Sequence, residues 1–481
     1  MRLIPWSVSI LAPLLVFGET KFTFHGKAWM DYGRIMNAED TIVNTLNPEI
    51  TLNYNGNALQ SVGGQITVLA DLSDHLEAGL GYGAAKGSHS LGNGPSEYLT
   101  ISLFENFVTQ SRLTWYMGDK AAPGLSVTVG GFPYIYNKDV KNLGLYLLRG
   151  PVYPGALMGG FGEYSADSTK ANMLGIKVHH AIGEFSQDLI LNNEREIPPT
   201  LDWSLAYLAK YKMGALELGG GVNFYRLIPY NSILETPGKD TSLVNGSLRK
   251  HYIEIDSTNP AAKDTTFFSN QGTKVVGTMS LDLKQLFGVS SESMNPDDMK
   301  IYAEAGIIGL KNYGTVYAKM SERIPVMVGF NVPTWGLLSH LSVEVEYYGA
   351  KYRNDLGAVG NNNAVAPWTR QDHPIPSPKP LTNADYKIDT AGYFKVGGDT
   401  TGVYVRGTAM DKENLTMDDL KWSVYIDKVV ARHIQFVAQV ANDHYRPRPI
   451  ASGLISSQGG TAEAFTSPKD WYMMFRVGYF F

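Results

Sequence analysis

The chain contains no cysteine. Disulfides, iron–sulfur ligation and thiolate zinc sites are thereby excluded. Beyond the N-terminal stretch there is no run of about 18 apolar residues, so no membrane-spanning helix is expected. An excess of either charge is also lacking: 41 lysines and arginines face 46 aspartates and glutamates, which marks no nucleic-acid partner. The hydrolase signatures Gly-x-Ser-x-Gly and His-Glu-x-x-His are absent, and adjacent His179 and His180 fall on opposite faces of a strand, so the chain does not read as an enzyme. Gly79-x-Gly81-x-x-Ala84 matches a dinucleotide fingerprint only superficially, because no strand–turn–helix context surrounds it. No cofactor and no metal set is expected.

What the chain has instead is alternation. In the closing stretch Trp471, Met473, Phe475, Val477, Tyr479 and Phe481 share one face, and Tyr472, Met474, Arg476, Gly478 and Phe480 the other. One face is apolar with aromatics at both ends; the other holds the only charge. The length suits a tilted transmembrane strand of about 9–11 residues. A core strand of a soluble β domain could look the same locally, but the rest of the chain repeats the pattern. Residues 22–32 place Phe22, Phe24, Gly26, Ala28, Met30 and Tyr32 on one face and Thr23, His25, Lys27, Trp29 and Asp31 on the other. Residues 76–83 alternate Leu76, Ala78, Leu80 and Tyr82 with Glu77, Gly79, Gly81 and Gly83, glycines that leave room inside a wall.

Hairpin signals recur along the chain, with short links near Ser73, Ile182, Met213, Trp335 and Ala431 and long polar links at 227–271, 353–419 and 443–470. This is the pattern of an all-β transmembrane antiparallel barrel with short periplasmic turns and long extracellular loops. The pattern yields about 16 strands, with about 14 to 18 allowed, a hairpin within 393–408 being the source of the higher count. With both termini periplasmic, each short link must follow an even-numbered strand, which requires that 156–164 not span. The pattern assigns 1–18 to a secretory signal peptide, with Arg2 before an apolar stretch, and 19–481 to one barrel.

Residues 132–155 interrupt the alternation with four tyrosines, four charged side chains and several prolines and glycines. Their place after a strand marks 137–170 as an inward-folded constriction loop, whose solute-contact candidates are Tyr134, Tyr136, Lys138, Asp139, Lys141, Tyr146, Arg149 and Tyr153. The tyrosines offer either stacking faces to sugar rings or packing against the wall. Alternation turns charges of both signs inward, among them Lys27, Asp31, Lys210, Lys212, Glu344, Glu346 and Arg476. Such an interior is expensive unless water fills it, and about 16 strands are too many for side chains to fill. The expectation is passive diffusion of small hydrophilic solutes, sugars among them, with no strong anion selectivity. The alternative is a binding or adhesive barrel acting through its long loops.

Three groups of residues carry a resemblance. The ending, with Trp471, Phe475, Val477, Tyr479 and Phe481, resembles the C-terminal signature of Gram-negative outer-membrane barrels. The Phe-His-Gly at Phe24 is similar to the first strand of some sugar-channel porins. The Phe-Pro-Tyr-x-Tyr-Asn run at Phe132, the Asn-Leu-Gly-x-Tyr-Leu run at Asn142, the Ile-Pro-Val-Met-Val-Gly-Phe-Asn-Val-Pro run at Ile324 and the Leu-Ser-Val-Glu-Val-Glu-Tyr-Tyr run at Leu341 resemble a group of porin-like outer-membrane proteins. The resemblance implies an outer-membrane location, contact with membrane lipid and lipopolysaccharide, insertion by the β-barrel assembly machinery through the C-terminal signal, and homo-oligomers as in many porins. It implies no particular solute.

Overall fold

The structure, a computed structural model, describes residues 20–37, 56, 58–90, 100–141, 171–193, 202–228, 272–289, 294–310, 319–347, 420–442 and 469–481, and short strand pieces at 41–43, 51–53, 250–255, 263–268, 386–388, 394–396 and 404–405. Sixteen of its strands close one barrel. In chain order they are β1 (Lys21–Asn37), β2 (Ala58–Ser73), β3 (Leu76–Ser90), β4 (Thr100–Met117), β5 (Leu125–Tyr134), β6 (Ala171–Ile182), β7 (Phe185–Asn193) and β8 (Trp203–Met213). The second half comprises β9 (Leu216–Ile228), β10 (Gly272–Asp282), β11 (Lys300–Ile307), β12 (Val326–Asn331), β13 (His340–Tyr347), β14 (Leu420–Val430), β15 (Ile434–Ala441) and β16 (Trp471–Phe480). Each strand pairs antiparallel with its neighbours in sequence, and β1 pairs with β16.

Links at the two ends of this meander differ in length, with one exception. One end carries 74–75, 118–124, 183–184, 214–215, 332–339, 431–433 and the longer 283–299; every link at the other end is longer than the first six of these. Left-handed glycines make two of the tightest turns, Gly183 at φ 56° and Gly214 at φ 60°, where a side chain would be strained. The described pieces of 393–408 do not join the wall. Phe394–Val396 pairs with Tyr386–Ile388, and Tyr404–Val405 with Thr41–Val43, so the barrel stays at sixteen strands. The ladder of β12 begins only at Val326: Pro325 has no N–H for it, and Met320–Arg323 forms a 3-10 turn. Residues 1–18 and 156–164, and most of 227–271, 353–419 and 443–470, lie outside the described residues.

The wall is inside-out relative to a soluble protein. Phe22, Phe24, Met30, Val62, Ile66, Leu80, Tyr82, Val328, Phe436 and Tyr479 are exposed on the outer surface. Asp31, Lys274, Glu304, Glu344, Glu346, Lys421, Asp427 and Arg476 are buried on the inner one. The alternation is sharpest at the closing strand, where Arg476 is 4% exposed between Phe475 at 48% and Val477 at 40%. Arg476 lies opposite Asp31 in the β1–β16 register and grips its carboxylate with Nε at 2.6 Å and Nη2 at 3.0 Å. Ser61 Oγ of β2 donates to the same carboxylate at 2.9 Å, so three strands meet at one charge-assisted network. Beyond it Phe481 exchanges backbone hydrogen bonds with Gly26, and its ring occupies the space a Cβ on Gly26 would need.

Arg476→Leu should strand Asp31 as a buried, unpaired carboxylate and cost about 3–5 kcal/mol. Denaturant unfolding of the barrel in lipid vesicles measures this, and the paired change Asp31→Asn with Arg476→Gln should recover much of the loss.

Candidate functional site

The interior is organised by residues 135–141, which leave the wall where β5 stops. Pro133 removes a ladder donor near the end of β5, and the side chain of Asn137 accepts from Asp139 N at 3.1 Å, turning the chain inward. Tyr134 OH donates to Asp188 Oδ2 of β7 at 2.9 Å, and Tyr136 OH donates to the carbonyl of Ala209 in β8 at 3.0 Å. The Tyr136 ring lies beneath the Lys210 ammonium, 4.8 Å from its centroid. It fits only because β9 presents a glycine there: a Cβ on Gly219 would lie 2.6 Å from the Tyr136 hydroxyl oxygen. Burial pushes the Tyr136 hydroxyl up to about 12, so it remains a donor throughout the physiological range.

At Lys141 the strap meets the opposite wall. Lys141 N donates to Glu344 Oε1 of β13 at 3.1 Å. β5 and β13 lie eight places apart in the sixteen-strand order, so 135–141 crosses the full diameter of the barrel. Glu344 is itself fixed by Tyr302 OH at 2.6 Å and Ser423 Oγ at 3.3 Å, and the Tyr302 ring lies against Gly329, where any side chain would collide with it.

A second attachment comes from the link between β10 and β11. Helix α1 (Leu283–Phe287) starts it, with the Asp282 side chain accepting from Lys284 N and Gln285 N at 2.9 and 3.2 Å. The Lys284 ammonium then gathers the carbonyls of Asn295 and Pro296 at 2.8 and 2.7 Å, and Asp298 accepts from Asn295 N at 3.0 Å. This folded link presents Asp297 to the strap. Asp297 binds Lys141 Nζ at 2.6 Å and Lys300 Nζ at 2.8 Å, while Lys300 also reaches Asp139 of the strap at 3.2 Å. His340 of β13 stands beside it, with Nε2 3.5 Å from Asp297 and Nδ1 2.6 Å from Asp427 of β14. Hydrogen bonding from His340, then from Lys141 and Lys300, holds the Asp297 carboxyl well below the usual carboxylate range despite its burial.

The wall near the strap's origin is lined differently. Arg112 of β4 is occupied by Glu77 at 2.6 Å and by Gln110 and Thr114. His179 of β6 bonds Asp188 at 2.8 Å. Lys177 of β6 lies 5.8 Å from the centroids of both Phe132 and Tyr134 and makes no ion pair among the described residues. No group of three or more ligating side chains suited to a metal ion occurs among the described residues.

The structure brings five of the expected contact residues into this region: Tyr134, Tyr136, Asp139 and Lys141 are bonded within the strap's attachments, and Lys138 is exposed beside them. Tyr146, Arg149 and Tyr153 lie outside the described residues. Of the inward charges, Asp31 and Arg476 pair, Lys210 binds Glu217 at 3.1 Å, and Glu346 lies opposite Lys421 in the ladder. Lys27 stacks on Phe480 at 5.2 Å, and Lys212 is exposed near the end of β8. Among the closing-strand residues, Phe475, Val477, Tyr479 and Phe481 are exposed and Trp471 is half-buried. Sequence reasoning missed Asp297, Lys300 and His340. His340 shares strand parity with Glu344 and was legible; Asp297 sits in a link with no periodicity to reveal it.

The fold and its lining define a class: a closed, porin-like barrel, apolar outside and charged inside, with a strap across its diameter. No family model matches the chain, and no curated protein matches it by sequence. Among solved structures it aligns with engineered variants of a porin from Rhodopseudomonas blastica. One alignment covers 96% of this chain and 100% of that one at 9% identity and a TM-score of 0.37. A triple mutant of the same porin aligns over the same shares at 10% identity and a TM-score of 0.36. Likeness this slight adds nothing to what the barrel itself shows.

Gly219→Val should drive Tyr136 from its slot at a stability cost of about 1–3 kcal/mol, as overpacking does. Loss of protection of the 135–141 amides in hydrogen exchange, with a folded barrel retained, is the expected readout.

Proposed function

We propose that the protein is an outer-membrane channel through which small hydrophilic solutes diffuse passively, narrowed by the strap at 135–141. The observation that carries this reading is the inner wall: charged and polar side chains line it through its whole circumference, while the outer wall is apolar. Such a lining is stable in a membrane only where water reaches it or where its charges are paired, and a barrel of this strand number encloses an aqueous lumen by default. Pairing is extensive here, with Arg476 on Asp31, Arg112 on Glu77, Lys210 on Glu217 and Lys141 and Lys300 on Asp297. Paired charges of both signs support weak ionic selectivity rather than a dedicated anion or cation pore.

Sugars remain candidate solutes, but Tyr134 and Tyr136 do not support a stacking slide. Their hydroxyls are engaged by Asp188 and Ala209, and both rings are buried. A location in the Gram-negative outer membrane, removal of residues 1–18 on export, recognition of the closing strand by the assembly machinery, contact with lipid and lipopolysaccharide, and homo-oligomerisation belong to the same proposal. The exposed apolar wall supports the membrane part of it. The competing reading, a binding or adhesive barrel working through its long loops, predicts a closed lumen.

Planar-bilayer recording separates the two. The channel reading expects discrete conductance steps from folded protein, a larger step when residues 137–155 are removed, and a shift of the reversal potential towards cations in Lys177→Met. Silent bilayers from correctly folded protein would leave the adhesive reading standing.

A further inference from the structure

The six charged groups at the strap's far end form a balanced set. Asp139, Asp297 and Asp427 supply three negative charges; Lys141 and Lys300 supply two positive ones. The sixth group is His340, and the geometry settles its state. Both ring nitrogens face carboxylate oxygens, Nδ1 towards Asp427 at 2.6 Å and Nε2 towards Asp297 at 3.5 Å. An ionised carboxylate only accepts, and a neutral imidazole has one N–H and one lone pair. Only the imidazolium can face both carboxylates without setting a lone pair against one of them. With His340 cationic, three acids meet three bases from the strap, the β10–β11 link and strands β11, β13 and β14.

We propose that His340 is a positioning residue that docks the strap on the far wall as an imidazolium, so that raising the pH loosens the strap and widens the pore. This rests on the channel reading above. Among the described residues the groups facing the ring are Asp297 from the link, Asp427 from β14, and, behind Asp297, Lys141 and Asp139 from the strap and Lys300 from β11. Gln435 Nε2 of β15 donates to the other oxygen of Asp427 at 3.1 Å, and Glu344, further along β13, takes the Lys141 amide. When the ring loses its proton it keeps one donor. The shorter bond, to Asp427, retains it, and the lone pair on Nε2 then faces Asp297. The set carries one uncompensated negative charge, and Asp297 loses its hold on β13. Because Asp297 is the group that Lys141 Nζ grips, one of the strap's holds on that wall is lost with it, and the strap is left on the Lys141 amide bond to Glu344 and the Asp139–Lys300 pair.

The signs follow from linkage. Docking contributed by His340 is fully present while the ring is protonated and is lost as the pH rises through its titration. Asp297, with its lowered carboxyl, stays ionised on the acid side, so its contribution is complete above about pH 4 and lost only below. The pore should therefore be constant through mild acid and change on the alkaline side alone.

The test is single-channel conductance from about pH 5 to about pH 10, spanning the ordinary imidazole range on both sides. It is run in parallel with hydrogen exchange of the 135–141 amides, corrected for intrinsic rate. Wild type should show one rise in conductance on the alkaline side, with loss of strap protection over the same interval. His340→Gln should show the raised conductance and the unprotected strap already at neutral pH, with the step abolished. His340→Lys, which keeps the charge, should restore the narrow pore at neutral pH. An alkaline step that survives in His340→Gln, or a wild type without a step in conductance or exchange, overturns the proposal. Should wild type not conduct at all, the channel reading fails instead, and strap exchange still decides whether His340 docks it.

Discussion

Sixteen strands leave no unpaired edge only because the first and the last meet in register, and that register is marked by the two-toothed bond between Arg476 and Asp31. A slip of one residue would turn Arg476 outward, between the positions of Phe475 and Val477, and bury apolar side chains in the lumen. The closing contact is therefore both the end of the ladder and the device that assigns every face. Phe481 extends it by one more pair, using Gly26 as the floor for its ring. Everything inside the barrel, the strap included, presupposes this closure.

Glycine performs a related task elsewhere in the wall. Gly219 makes the slot for Tyr136, and Gly329 the floor beneath Tyr302. In both cases an aromatic ring lies against the inner wall with its hydroxyl aimed at an acceptor, Ala209 in one and Glu344 in the other. The strap is thus held by shape at its origin and by charge at its far end. These two kinds of attachment respond to different perturbations: bulk at position 219 acts at one end, proton loss at His340 at the other.

The lining also explains why net charge says little about selectivity. Among the described residues many interior ions are committed to one another, so the inner wall presents pairs rather than isolated charges. Among the described residues Lys177 differs in lying over two aromatic rings without an ion pair, and Lys138 in being exposed on the strap itself.

The strands and their faces were legible in the chain because alternation is local: a residue and the one two places on share a face whatever lies across the sheet. Asp31, Glu344 and Arg476 were placed inward by this rule alone, and the strand count followed from alternating short and long links. The departure of the chain from the wall after Tyr134 was legible too, since Pro133, the tyrosines and Asn137 break the pattern. What the strap touches was not. Lys141 meets Asp297, 156 residues away, and Glu344, 203 residues away, and no periodicity connects such positions. Those contacts exist only because barrel closure sets β5 and β13 face to face, which is a property of the whole ring of strands and of no single stretch within it.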